Sequence, residues 1–343
     1  MIKSIVLVNN YISDQLAYKS LQQNNIKDNE FILIKLRKFK SILESVNNKH
    51  NIYEVPISVK STINLNNIFN LISLVKIFKK NIHNPKLESV YVCNNAHLFC
   101  NAAFQYKKII KSKFKIKVLV EGTVNFEPGT GRSINLNKKI FYKLLSLFFN
   151  IPWRHLNDHI TGSMNELTDE VISFSRTGLN AIESKIKIYK FDILKPKIEA
   201  KKNNLLIIHS PLNAIVGFSD KNYKKLCDSL KSWLLKQQHD KIYIKYHPNF
   251  KDIYLTEALS NFELFEWDGH LENNADILPA KQIISFHSAA LLTLKMKRPD
   301  LSIYAFGVDY YNKITNQELT TGINKLYNSM GISIIDTEKL LIK

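Results

Sequence analysis

The sequence contains little cysteine. Only three cysteines occur among 343 residues, at Cys93, Cys100 and Cys227, and this odd number shows no paired spacing. A disulfide framework needs pairs of cysteines, and a structural zinc site needs Cys or His ligands at short, regular spacing. We therefore expect neither, and the composition fits a protein of the reducing cytoplasm.

Long hydrophobic runs are missing as well. No apolar stretch approaches the roughly 20 residues that a membrane-spanning helix needs, although hydrophobic residues make up 45% of the chain. The first ten residues, MIKSIVLVNN, are too short for a secretory signal and predict a strand. These features predict a soluble, well-packed protein that lies in the cytoplasm.

The motifs of common metal and cofactor chemistry are also absent. The sequence has no D-x-D triplet, which often binds the divalent metal on a nucleotide diphosphate. It has no Walker loop, H-E-x-x-H, G-x-S-x-G or C-x-x-C either. We predict no metal and no organic cofactor. Any phosphate would then be bound by His, Ser and the amino termini of helices.

Positive charge, in contrast, is abundant. The formal net charge is +18, which first suggests nucleic acid as a partner. The lysines are spread along the chain with many Asn and Ile, and no RNP-like aromatic motif accompanies the densest basic stretch, 107–117. We favour a compositional bias toward A/T-rich codons, then attraction to an anionic membrane or glycan. Nucleic acid binding is the least favoured explanation.

Apolar runs rich in β-branched residues alternate with amphipathic stretches in the first half of the chain. Ser13 or Asp14 is expected to cap the first helix. The predicted strands are 2–8, 30–36, 51–57, 89–94 and 114–120, and the predicted helices are 13–23, 64–80 and 96–110.

A second series follows a polar, Lys- and Pro-containing stretch at 191–204, which we interpret as a linker. Repeated β-α units predict parallel, doubly wound sheets. We therefore predict an α/β protein with two Rossmann-like lobes, 1–195 and 196–343, facing across a cleft, as in the GT-B layout. The strands predicted for the second series are 205–210, 241–246, 262–267, 281–286 and 301–306, and the helices are 219–238, 252–261 and 288–296.

Glu121 is the first charged residue after the predicted strand 114–120. A carboxylate at the carboxyl end of a buried strand is partly desolvated, which raises its pKa toward that of a general base. The alternative is an acidic residue that merely opens a turn. In the same lobe, Asn95 and His97 follow strand 89–94, and His97 is either a functional group or simply a residue of the first helical turn.

Polar residues also end three predicted strands of the second lobe. His247 precedes Pro248, which restricts its backbone to an extended conformation. His287 and Ser288 follow strand 281–286, and Ser288 can cap a helix whose amino terminus attracts phosphate. Ser210 ends strand 205–210. Each of these residues could also act only as a terminator or a cap.

The order of these motifs resembles that of bacterial sialyltransferases of GT-B fold, in particular the capsular polysialyltransferases and the lipooligosaccharide sialyltransferases. The motifs are VEGT (120–123), KYHP (245–248) and SFHSA (285–289), preceded by NNAHLF (94–99). The resemblance covers roughly residues 2–310. Val120 stands where the family often has a second acid, and His287 stands where a second hydroxyl residue is common.

The resemblance implies inverting, metal-independent transfer of sialic acid from CMP-sialic acid to a cell-surface glycan. It implies Glu121 as general base and His247 as the general acid or the electrostatic partner of the departing CMP phosphate. Ser288, His287, Ser210 and Pro248 would bind the donor, and His97 and Asn95 would lie at the acceptor.

The partners implied are a nucleotide-sugar donor and an anionic glycan or glycolipid acceptor, with peripheral association with the inner membrane. Two alternatives stay open. The donor could be another CMP-activated nonulosonic acid or Kdo, or the chain could be a basic polyanion-binding protein without catalysis.

Overall fold

The computed structural model of the chain describes residues 1–46, 51–55, 65–126, 136–154, 159–210, 212, 218–247, 253–268, 271, 274–286, 288–310 and 320–337. Contacts between residues divide the chain into two compact units, Met1–Tyr189 and Lys190–Lys343. No helix among the described residues has the length and apolar character needed to cross a membrane.

The described part of the first unit contains a seven-stranded parallel sheet with the order β3-β2-β1-β4-β5-β6-β7. The strand order reverses between β1 and β4, which are neighbours in the sheet. The strands are β1 (Ser4–Val8), β2 (Phe31–Lys35), β3 (Ile52–Glu54), β4 (Ser89–Val92), β5 (Lys115–Leu119), β6 (Glu170–Ser173) and β7 (Ile186–Ile188).

Helices connect these strands, and every residue of β1, β2 and β4 is buried. Burial along whole strands is expected where helices cover both faces of a parallel sheet. The helices are α1 (Tyr11–Gln23), α2 (Leu43–Val46), α3 (Leu65–Ile82), α4 (Leu98–Ile109) and α5 (Leu136–Phe149), with 3-10 turns at Thr123–Phe126 and Glu183–Lys185.

Helix α1 begins earlier than its sequence pattern indicates. Its amino-terminal cap is Asn10, whose side chain accepts a hydrogen bond from the Ser13 backbone N–H. The Ser13 hydroxyl in turn accepts one from the backbone N–H of Asn10, which completes a capping box. The expectation that Ser13 or Asp14 is the cap is therefore wrong. Asp14 instead lies buried and accepts hydrogen bonds from the Ser41 hydroxyl and the Ile42 N–H.

The described part of the second unit contains a six-stranded parallel sheet with the order β10-β9-β8-β11-β12-β13. The strands are β8 (Lys201–Ile208), β9 (Ile242–Lys245), β10 (Leu264–Glu266), β11 (Ala280–Ser285), β12 (Ser302–Phe306) and β13 (Ser333–Ile335). The helices are α6 (Asp220–Leu234), α7 (Ile253–Ala258), α8 (Ala289–Lys297) and α9 (Thr320–Ser329).

Strand β8 extends into the stretch that the sequence suggests is a linker. Its first three residues, Lys201–Asn203, are exposed, whereas Asn204 through Ile208 are buried. A strand whose first residues face water can carry a polar sequence there, so composition alone did not distinguish it from a linker. The core of this unit forms around Leu226 and Leu230 of α6, which pack with Ile284 of β11.

Two parallel sheets with alternating helices confirm the predicted α/β fold with two Rossmann-like units. Six elements were not predicted, namely α2, α5, β6, β7, α9 and β13.

We predict that Gly307→Ala destabilises the second unit more than Gly331→Ala. Both glycines have positive φ, +71° and +69°, so the backbone strain of an alanine is matched. A Cβ at Gly307 would lie 2.3 Å from the Cδ1 of fully buried Leu226, whereas at Gly331 the nearest atom is Lys295 Cε at 3.6 Å. Such overpacking typically costs about 1–3 kcal/mol.

The measurement is the thermal unfolding midpoint of the two variants in the same buffer. We expect Gly307→Ala to melt several degrees below Gly331→Ala, since a unit of this size shifts by about 2–4 °C per kcal/mol. Equal midpoints would contradict a close approach between Gly307 and Leu226.

Candidate functional site

Glu121 leaves the first sheet at the carboxyl end of β5. The Val120 N–H still donates to the Ile172 carbonyl of β6, and the chain then turns away at Gly122, whose φ is 143°. Only 8% of Glu121 is exposed. The carboxylate therefore lies at the edge where ligands of open α/β sheets bind, beside the reversal of strand order between β1 and β4.

Asparagines from the neighbouring strand ends hold this carboxylate. The Asn9 side-chain amide donates to Oε2 at 2.9 Å, and that of Asn94 donates to Oε1 at 3.4 Å. Asn10 donates to the Glu121 carbonyl at 2.5 Å, and the Glu121 N–H donates to Asn125 Oδ1 at 3.0 Å. Contacts from the ends of β1 and β4 thus fix both the side chain and the backbone of Glu121.

The pKa of Glu121 is raised above its ordinary value because burial disfavours the charged form. Its hydrogen bonds from Asn9 and Asn94 and the positive charges of Arg37 and Lys138 act in the opposite direction and only partly offset burial. A carboxylate with a raised pKa binds a proton more tightly. This arrangement suits a general base.

The two cations come from different elements. Arg37 follows β2, and its Nε donates to the Asn9 carbonyl, so the guanidinium approaches the site without a hydrogen bond to Glu121 among the described contacts. Lys138 lies in the first turn of α5, with Nζ 5.8 Å from the centre of the Tyr142 ring. Burial lowers the pKa of Lys138, although Glu121 favours its charged form.

His97 occupies the amino-terminal cap position of α4, but its side chain makes no capping hydrogen bond. Its ring lies 6.1 Å from that of Phe99 and 5.6 Å from that of Tyr142. Its Nδ1 is shielded from solvent and has no hydrogen-bond partner among the described residues. Burial, together with the charge of Lys138, lowers the pKa of His97 to about 3. The imidazole is therefore neutral at pH 7 and retains an unused hydrogen-bonding nitrogen.

Asn95 lies deeper than a contact with an acceptor would suggest, since only 4% of it is exposed. Its side-chain oxygen accepts a hydrogen bond from Asn101, which also bonds the Arg154 backbone through both its carbonyl oxygen and its amide. The backbone N–H of Asn95 donates to the Ile160 carbonyl. The structure thus places Asn95 in an internal network that supports the segment carrying His97.

Sequence reasoning missed four residues of this edge, Asn9, Asn10, Arg37 and Lys138. One signal was available for the asparagines, because Asn9 and Asn10 directly follow β1, a wholly apolar strand after its first serine. A polar pair at that position belongs to the same sheet edge as Glu121. Arg37 and Lys138 offered no comparable signal in a lysine-rich chain.

In the second unit, the predicted residues follow adjacent strands. His247 comes two residues after β9, Ser210 two residues after β8, and Ser288 three residues after β11. Because β9, β8 and β11 are parallel neighbours, all three lie at one edge of the sheet. Pro248 and His287 fall outside the described residues.

His209 links two of these strand ends. The backbone N–H of His247 donates to His209 Nδ1 at 3.2 Å, and the two ring centres are 6.5 Å apart. His209 is buried and His247 is partly buried. An accepting Nδ1 requires that a neutral His209 carry its proton on Nε2. The backbone of His247 is therefore fixed by the strand end beside it.

Ser288 caps α8, as the sequence suggests. Its backbone is extended, with a φ of −138°, and its Oγ accepts a hydrogen bond from the Ala290 N–H at 3.2 Å. Nearby, Ser285 Oγ donates to the Ile208 carbonyl and ties β11 to β8. The first N–H groups of α8 lie at this edge, where they can attract a phosphate.

Among the described residues, no group of three or more His, Cys, Asp or Glu side chains could hold a metal ion. The carboxyl edge of the sheet in the first unit, called the first edge, carries a buried carboxylate, a neutral imidazole and two cations. The carboxyl edge of the sheet in the second unit, called the second edge, carries imidazoles, hydroxyls and the amino terminus of a helix. These are groups for proton transfer and for anion binding.

Neither a family model nor a curated protein sequence matches the chain. Several solved structures, however, match the chain in fold. S. aureus MnaA, solved with UDP, has a TM-score of 0.49 at 11% identity and matches 89% of this chain and 79% of its own. Acinetobacter baumannii MurG has a TM-score of 0.43 at 12% identity, with coverages of 98% and 88%. Anabaena HepE, in complex with UDP and glucose, has a TM-score of 0.44 at 7% identity, with coverages of 99% and 97%. At these scores the likeness assigns no activity.

We predict that His97 lowers folding stability in mild acid. Its pKa in the folded chain, about 3, is below the ordinary value of 6.5. As pH falls through 6.5 the unfolded chain takes up this proton while the folded chain does not. Between pH 7 and pH 5.5 this one group lowers the free energy of unfolding by about 1 kcal/mol.

The comparison is between wild type and His97→Phe, which keeps an aromatic ring against Phe99 and Tyr142. Unfolding free energies from urea titrations at both pH values should show that wild type loses about 1 kcal/mol more than the variant. Carboxylates common to both proteins cancel in this difference. The same loss in both would mean that the pKa of His97 is the same in the folded and the unfolded chain.

Proposed function

We propose that the protein is an inverting, metal-independent glycosyltransferase that moves a sugar from a nucleotide-activated donor to a glycan hydroxyl. The observation that carries this proposal is the buried carboxylate of Glu121. It lies at a sheet edge where ligands bind, is oriented by Asn9 and Asn94, and has a raised pKa.

In the proposed reaction, Glu121 removes the proton from the acceptor hydroxyl. The acceptor oxygen forms a new bond to the anomeric carbon while the bond from that carbon to the donor phosphate breaks. The phosphate leaves with the bonding electron pair. Attack from the face opposite the phosphate inverts the configuration. A positioned base contributes about 10²–10⁴-fold to such a step.

The departing phosphate needs hydrogen-bond donors, and the second edge offers them. His247 is the proposed partner of the phosphate, since its backbone is fixed by His209. Ser288 and the amino terminus of α8 are the proposed phosphate site, together with Ser210. His287 and Pro248 keep the donor-binding roles proposed from the motif order. Such groups can stabilise a single departing phosphate without a metal.

CMP-sialic acid is the proposed donor. What supports it is the order of the VEGT, KYHP and SFHSA motifs. In CMP-sialic acid the anomeric carbon carries a carboxylate and becomes oxocarbenium-like as its bond to the phosphate breaks. The leaving group, CMP, carries a single phosphate. Another CMP-activated nonulosonic acid or Kdo would make the same demands and is the alternative donor.

The acceptor is proposed to be an anionic cell-surface glycan, such as capsular polysialic acid or a lipooligosaccharide. The net charge of +18 favours an anionic partner. His97 is the proposed acceptor contact, because the motif order assigns it there and the residue is partly exposed, although its Nδ1 is shielded. Asn95 would act indirectly by supporting the segment that carries His97.

The same net charge favours a second candidate, a basic protein that binds a polyanion without catalysis. The two candidates differ in their dependence on Glu121. Polyanion binding should fall steeply with salt and survive loss of the carboxylate. Sugar transfer should be lost when the carboxylate is removed.

We predict that Glu121→Gln lowers sugar transfer by at least about 10²-fold, because the amide cannot accept the hydroxyl proton. His247→Ala should lower it by a similar factor by removing the phosphate partner. The assay incubates the protein with CMP-sialic acid and lactosyl or oligosialyl acceptors and follows products by mass spectrometry.

Matched controls are Glu30→Gln, a carboxylate paired with Lys3 at the start of the first sheet, and His83→Ala, an exposed histidine. Both should retain wild-type turnover, and all four variants should keep the wild-type circular dichroism spectrum. Transfer that persists in Glu121→Gln would remove Glu121 from the role of base.

We also predict that cytidine nucleotides stabilise the protein and that UDP and GDP do not. A ligand present at a hundredfold excess over its Kd stabilises the folded state by about 2.7 kcal/mol. Thermal shift measurements with CMP, UDP and GDP at equal concentration, and with DNA in a separate sample, test this. Stabilisation by UDP alone would reject the sialic acid donor but keep sugar transfer. Stabilisation by DNA alone would favour the polyanion-binding candidate.

A further inference from the structure

Helix α5 exposes a continuous apolar face. Five of its side chains are between 49% and 74% exposed, although each is large and hydrophobic. At 100° per residue they fall within an arc of about 120° on one side of the helix. We call them the α5 face: Leu136, Ile140, Leu144, Leu147 and Phe148.

The opposite side of the same helix packs into the unit. Tyr142 is the buried residue of α5, and its ring contacts those of His97 and Trp153. Lys138 is on this side too, and its positive charge favours the ionised form of Glu121 and so lowers its pKa. The helix therefore separates an inner side that reaches the candidate site from an outer apolar side.

The surroundings of the α5 face are positively charged. Lys139 and Lys143 lie one helical turn apart along one border of the face, and α5 contains no acidic residue. The carboxyl ends of α3, α4 and α5 line a shared recess of about 500 Å³. Lys79, His83 and Ile109 line it together with Leu147, and Ile109 is itself 63% exposed. The apolar surface thus continues onto α4 beside further basic groups.

We propose that the α5 face docks onto the surface of an anionic lipid bilayer. A helix with aromatic and aliphatic residues on one side and lysines beside them lies in the membrane interface with its apolar side in the acyl boundary. Lysines at its border would contact the lipid phosphates. This docking would bring a membrane-anchored acceptor close to the inner side of α5, and it does not depend on the identity of the donor.

A second copy of the chain fits the α5 face less well than a bilayer. A twofold-symmetric contact would place the lysines of one copy near those of the other, since both copies present the same surface. Helix α5 contains no acidic residue that would compensate for this repulsion. Anionic lipid supplies the missing negative charge.

The test is flotation of the full chain with vesicles of phosphatidylcholine alone or mixed with phosphatidylglycerol. The variant Leu144→Gln/Phe148→Gln removes two side chains of the α5 face. The matched control, Leu235→Gln/Ile253→Gln, removes two side chains of the second unit that are 64% and 69% exposed. Circular dichroism and the unfolding midpoint establish that both variants fold. Ile140→Gln/Leu147→Gln serves as a second variant of the same face.

We expect wild type to float with vesicles that contain phosphatidylglycerol, and less so as salt is raised. The α5 variants should bind at least about tenfold more weakly, whereas the control should match wild type. Absence of wild-type binding would overturn the proposal, as would equal binding by the α5 variants. A wild-type dimer that the α5 variants convert to monomer in light scattering, without a change in vesicle binding, would assign the face to self-association instead.

Discussion

The buried carboxylate of Glu121 is the constraint on which the candidate site of the first unit depends. Removing a carboxylate from water is unfavourable unless hydrogen bonds replace hydration. Here neutral amides from Asn9 and Asn94 supply them, and Arg37 bonds the Asn9 carbonyl. A direct bidentate pair with arginine would hold the pKa of Glu121 low and weaken it as a base. Amide donors orient the carboxylate and leave its pKa raised.

The position of this carboxylate follows from the fold. In a parallel sheet all carboxyl ends meet at one edge, so residues far apart in sequence become neighbours there. Asn9, Asn94 and Glu121 follow β1, β4 and β5, which are adjacent strands. The same rule brings His247, Ser210 and Ser288 together in the second unit. Each sheet therefore collects a different set of groups, a buried carboxylate with amide donors in the first and imidazoles with hydroxyls in the second.

The sequence predicted the β-α alternation because buried parallel strands are continuous apolar runs, and it predicted Glu121 because a charge directly after such a run is conspicuous. It did not predict Asn9 or Asn10, because asparagine is frequent throughout this chain, and their position directly after the apolar strand β1 was the one local signal for them. The contact between Asn9 and Glu121 spans 112 positions and exists only once the strands pair. Strand β7 has three residues, too few for a clear period.

Helix α5 shows why a local pattern can be present and still be missed. Its apolar residues exceed what one buried side needs, because Tyr142 is buried while five large side chains face outward. A stripe on the outside of a helix and one on the inside look alike in sequence. Burial alone distinguishes them, and here it separates the side of α5 that reaches the candidate site from the exposed apolar side. Since Lys138 and Tyr142 reach Glu121 and His97 from the inner side, a tilt of α5 on a bilayer would act on the pKa of Glu121 through Lys138 and on the packing of His97 through Tyr142.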